Sequence, residues 1–126
     1  MRPEWYNAAM SEPEVFTGER CFITELLNSE ISPDASLALA RVEPGVTTQL
    51  HRLDGVAERY IVRKGSGTVE IDGRRQRLGP GDQVMIAAGT AQRIANDGPD
   101  DLEFYCLCTP RFTPACYVDL EDGAGG

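Results

Sequence analysis

The chain has 126 residues, enough for one hydrophobic core and one domain. Its 20 acidic residues against 12 basic ones give a formal net charge of −8, which argues against a nucleic-acid partner, because phosphate binding needs a basic surface. No apolar run exceeds five residues (Val84–Ala88 and Phe104–Cys108), far below the roughly 18 that a membrane-spanning helix needs, so no membrane partner is expected.

In chain order, the opening stretch "MRPEWYNAAMSEPE" has neither the basic start nor the apolar stretch of a secretory leader, which makes the cytoplasm the expected location. A short helix over "PEWYNAAM" is possible. Beyond it, β-type runs recur between Gly, Pro, Asp and Asn: "RCFITELL", "SLALARV", "ERYIVRKGSG", "TVEIDG", "RRQRLGPGD", "QVMIAAGT", "AQRIANDGPD" and "DLEFYCLC". Asp72-Gly73 is a type I′ hairpin signal. Strands at roughly ten-residue spacing with turns between them predict an antiparallel sandwich or barrel. The segment "CTPRFTPACYVDLE" reads as an extended strap, with Phe112 and Tyr117 packing it over the barrel mouth or a partner subunit. The tail "EDGAGG" has nothing to bury and is expected to fray. The predicted core runs over about residues 20–118 of a single domain, with the N-terminal arm and C-terminal tail peripheral.

Cys21, Cys106, Cys108 and Cys116 read as small core-filling side chains. Cys106 and Cys108 share a strand face, but no second cysteine pair or nearby histidine makes them a zinc signature. "GRRQR" at 73–77 reads as a solvated basic face. With one histidine in the chain and no nucleophile elbow, Ser/His/Asp catalysis is set aside.

That single histidine, His51, belongs to a pattern. Gly45, five residues, His51, one residue, Leu53, then Glu58 and, six residues on, Gly65 follow the motif G-x5-H-x-H-x3/4-E-x6-G. Gly81, five residues, Ala87, Gly89, Gln92 and Asn96 follow G-x5-P-x-G-x2-H-x3-N. On these two motifs the chain resembles a small single-domain cupin. The resemblance implies an all-β, double-stranded β-helix (jelly-roll) barrel with a metal or substrate site inside, and a homodimer.

Carried over residue by residue, the resemblance puts His51 at the first ligand place, Glu58 at the carboxylate place and Gln92 at the last histidine place. Leu53 stands where the second histidine is usual and cannot bind a metal. Strand alternation turns Glu58, Tyr60 and Val62 inward and Arg59 and Arg63 outward, and likewise turns Gln92, Ile94 and Asn96 away from Arg93. The expected cavity therefore holds a His, a Glu, a Gln and a Tyr, with one greasy quadrant at Leu53.

One nitrogen, one carboxylate and one amide oxygen would take Zn²⁺, Ni²⁺, Mn²⁺ or Fe²⁺ without strong preference, more weakly than the full set. The expected function is a cupin with a divalent-metal site acting on or binding a small organic molecule, as a dioxygenase, isomerase or lyase if it is an enzyme. Tyr60 is the candidate proton donor, and Glu58 the candidate base where no metal is bound. The alternative is a metal-free small-molecule binder, in which His51, Glu58 and Gln92 form a hydrogen-bonded polar cluster.

Overall fold

Period-two alternation decides the architecture, because each strand has one apolar face to hide and two such faces hide each other. The computed structural model describes residues 2–3 and 12–121. Among these, eleven strands run in chain order: β1 Val15–Phe16, β2 Phe22–Leu27, β3 Ser36–Val42, β4 His51–Leu53, β5 Ala57–Lys64, β6 Gly67–Ile71, β7 Arg74–Leu78, β8 Gln83–Ile86, β9 Gln92–Ala95, β10 Leu102–Thr109 and β11 Tyr117–Asp119. They form two antiparallel sheets, ordered β1-β2-β3-β10-β5-β8 and β11-β4-β9-β6-β7. This is the expected jelly roll. No described helix is long and apolar enough to cross a membrane.

The core lies between the sheets, where Val42, Val62, Val69, Ile86, Ile94, Leu102 and Phe104 are buried. Each large aliphatic side chain hidden there contributes about 1.5–3 kcal/mol. Leu53, Val56, Cys108 and Cys116 form a second, smaller cluster, with Phe112 and Tyr117 packed on it. The expected strap is thus partly a strand: β11 pairs with β4 and brings Tyr117 opposite Leu53.

The turns follow their residues. Asp72 and Gly73 both have positive φ, 51° and 78°, as a type I′ turn between β6 and β7 requires. Gly65 and Gly67 permit close approach: a Cβ at Gly65 would lie 2.4 Å from the Asp101 carbonyl oxygen, and one at Gly67 2.6 Å from that of Ala95. The strand expected over "RCFITELL" starts later, at Phe22, because Arg20 sits at φ 68° in a turn closed by Thr17 N–H donating to the Cys21 carbonyl at 2.9 Å. The "GRRQR" arginines lie on β7, where Arg75 and Arg77 are exposed and meet Glu70 and Asp97. The helix expected over residues 3–10 and most of the expected frayed tail lie outside the described residues.

Candidate functional site

The long strand β5 sets the site. Its alternation buries Glu58, Tyr60 and Val62 and leaves Arg59 and Arg63 in solvent, as the sequence predicts. Glu58 is 8% exposed and faces a cavity inside the barrel. The Cys108 thiol donates to its Oε2 at 3.6 Å, while Oε1 is buried without a hydrogen-bond partner. Burial, and then the charge on Glu19, push the Glu58 carboxyl up to about 7; the Cys108 thiol and the Gln92 amide offset this in part.

His51, on β4, is buried more deeply still. Its Nδ1 lies 2.8 Å from the Gln49 carbonyl oxygen, and since a carbonyl only accepts, Nδ1 carries a proton. The other nitrogen, Nε2, faces Glu19 Oε1 at 3.8 Å. Tyr117 stacks on the imidazole with ring centroids 4.7 Å apart and planes 17° from parallel. The Tyr117 hydroxyl donates to Gln49 Oε1, so one glutamine orients both rings.

Gln92 is His51's register partner across β4 and β9 and is 1% exposed. It is buried beside the cavity and does not line it, and its Oε1, like Glu58 Oε1, has no hydrogen-bond partner. Tyr60 lines the cavity with its ring tilted against Phe104 at 4.6 Å. Burial and the nearby Glu58 charge push its phenol well up, so it stays a donor. Asn96 is buried but is bound up in backbone bonds, donating to the Val42 and Asp100 carbonyls and accepting from Gly98 N–H. Leu53 lines the cavity as expected.

Glu19 is the site residue that sequence reasoning missed. It lies in the β1–β2 turn, half-buried, and burial raises its carboxyl while His51 opposes the rise. Gln49 N–H donates to the Glu19 carbonyl at 3.1 Å, and Arg20 forms a two-pronged pair with Glu121, so the turn is latched over the cavity. The available signal was alternation: Glu19, Cys21, Ile23 and Glu25 all face the cavity at every second position. The buried thiols serve as packing, with Cys21 pushed up to about 12 by burial.

Among the described residues, no three His, Cys, Asp or Glu side chains are arranged to hold a metal ion. The donors that could hold one are His51 Nε2 and the two unpartnered oxygens, Glu58 Oε1 and Gln92 Oε1. They suit a weak site of one nitrogen and two oxygens, short of the usual two-imidazole set because Leu53 supplies nothing.

The family model described as "Cupin domain" matches residues 38–108. The chain belongs to the cupin family. This cupin is 30% identical over 87 residues to an oxalate-binding protein of Thermotoga maritima, covering 68% of this chain and 72% of that one. It is also 30% identical over 80 residues, 64% of its length, to the endoribonuclease YbeY of Myxococcus xanthus, but the match spans only 27% of that protein. The structure of Pac13, a nucleoside dehydratase, superposes with a TM-score of 0.76 over 91% of this cupin and 90% of that chain, at 18% identity, a likeness of fold.

Proposed function

We propose that the barrel cavity of this cupin takes a small organic molecule and exchanges protons with it through Glu58, with His51 as the second proton-handling group. The observation that carries this reading is the pair of buried, unpartnered oxygens, Glu58 Oε1 and Gln92 Oε1. A buried acceptor without a donor is costly. One proton on Glu58 Oε1 answers both, since the carboxylic acid donates and the Gln92 oxygen accepts. Burial favours the protonated form, while the Gln92 amide, close enough to hydrogen-bond the carboxyl, offsets it in part.

In this reading Glu58 delivers its proton to one atom of the ligand while His51 Nε2, left as an acceptor by the Nδ1–Gln49 bond, removes one from another. Donation at one point and removal at another is an isomerisation or an elimination, and it consumes no co-reactant. Tyr60 donates a hydrogen bond that orients the ligand, and Glu19 steadies the imidazole when it holds the proton.

The same two oxygens support a second reading, a divalent metal held by His51, Glu58 and Gln92. Such an ion would polarise a carbonyl or enolate oxygen of the ligand. Thermal shifts across a metabolite panel, with and without EDTA, separate the two. The first reading expects a ligand shift indifferent to EDTA and absent in Glu58→Gln. A shift lost in EDTA and regained on adding Zn²⁺ or Mn²⁺ overturns it in favour of the second. A homodimer is supported by the exposed Val15 and Phe16 on the edge strand β1, and light scattering of wild type against Phe16→Glu tests it.

A further inference from the structure

We propose that the cavity selects small organic ammonium ions, an amine on a compact apolar body, over organic acids of the same size. This deepens the proton-handling reading and rests on it for the role of Glu58. Size comes first. The cavity holds about 150 Å³, and an apolar cavity of that volume accepts a molecule of about benzene's size.

Charge decides the class. The ionisable carboxyls on the cavity wall are Glu58 at depth, Glu19 on the latched turn and Glu25 toward the rim, and no arginine or lysine lines it. The arginines next to cavity residues in sequence are turned elsewhere: Arg20 pairs with Glu121, Arg41 with Glu14 and Asp101, and Arg52 with Asp54; Arg111 bonds to Asn28, and Arg59 is exposed. An anionic ligand would enter a low-dielectric space lined by three carboxyls, with no cation to answer its charge. An ammonium group meets the opposite situation. Once Glu58 gives up its proton, Oε1, on a side chain only 8% exposed, is an acceptor with no hydrogen-bond partner inside the protein. Glu19 stands 3.8 Å from the imidazole and close to the same space.

The walls suit the rest of such a ligand. Tyr60, Phe104, Phe112 and Tyr117 line the cavity, and aromatic faces attract cations as well as apolar bodies. The formal net charge of −8 adds long-range attraction for a cation. The oxalate-binding relative is named for a dianion; without a bound metal, this cavity has no group to hold one.

The test is calorimetric titration near neutral pH, in EDTA, of three molecules of one shape: cyclopentylamine, cyclopentanol and cyclopentanecarboxylate. The amine is expected to bind at least about tenfold tighter than the alcohol, the scale of one partly buried charge contact, and the acid not to bind. Glu19→Gln and Glu25→Gln should each lower the ratio of amine to cyclopentanol affinity. Acid binding as tight as amine binding, equal binding of amine and alcohol, or no binding of any of the three overturns the proposal. The two readings fail separately. An acid preference, with cyclopentanol still weakened by Glu58→Gln, overturns the charge selection alone. Equal cyclopentanol binding in wild type and Glu58→Gln overturns the role of Glu58 and leaves amine selection to Glu19 and Glu25.

Discussion

Replacing Glu58 with Gln isolates the energetic consequence of a carboxyl group buried without a partner. Its folded-state value rises from an ordinary 4.5 to about 7, first through burial and then through the Glu19 charge. That gap corresponds to about 3 kcal/mol. A group whose folded value is raised holds its proton more tightly when folded. Its contribution is therefore present below about pH 4.5 and is lost as pH rises through about 7. Glutamine stays neutral throughout and shows no such loss. The difference in unfolding free energy between the two proteins should therefore shift by about 3 kcal/mol in favour of the variant between about pH 4.5 and pH 8, or about 10 °C in Tm. The groups acting on Glu58 are Glu19 from the β1–β2 turn, Cys106 and Cys108 from β10 and Gln92 from β9; both proteins contain them all. The assay is urea unfolding across pH in EDTA. Parallel curves for the two proteins would refute the reasoning, because they would mean that Glu58 ionises in the folded state without penalty.

Leu53→His restores a second imidazole on the face it shares with His51 and should tighten Zn²⁺ binding at least about tenfold by calorimetry; unchanged affinity means the two side chains do not converge. Gly65→Ala forces a Cβ to within 2.4 Å of the Asp101 carbonyl oxygen at φ +79°, and should cost about 1–3 kcal/mol in chemical denaturation. Asn96→Ala removes three hydrogen bonds, one buried and two part-buried, and should cost about 2–3 kcal/mol on the same assay.

The long elements were legible because their side-chain pattern is repeated. "SLALARV" is β3 from end to end, and Glu58, Tyr60 and Val62 alternate inward as read. Asp72-Gly73 announced its turn because few other pairs accept two positive φ values. The three-residue strands β4 and β11 were harder: a run that short has no period, and it exists because a partner strand lies beside it. Glu19 was hidden for a different reason. An acidic residue after Thr-Gly reads as a solvated turn, and contacts far along the chain, from Gln49 N–H to the Glu19 carbonyl and from Arg20 to Glu121, hold that turn over the cavity. Alternation placed Gln92 on the inner face of its sheet but not its depth: the side chain is 1% exposed and does not line the cavity.

Leu53 links these observations. A cupin cavity with two imidazoles beside its glutamate can keep that carboxylate charged by sharing it with a bound cation. With a buried leucine in one of those places and an amide in another, an ionised Glu58 has little to offset its charge. Something has to neutralise it, and the candidates are a proton, a metal ion or a cationic ligand. All three would use the same oxygen, Glu58 Oε1, so each must weaken the others by linkage. Amine affinity should therefore rise with pH as the proton leaves Glu58, and fall as Zn²⁺ is added. Amine and Zn²⁺ bound together without mutual weakening would show that they occupy different places, and the single-oxygen account would fail.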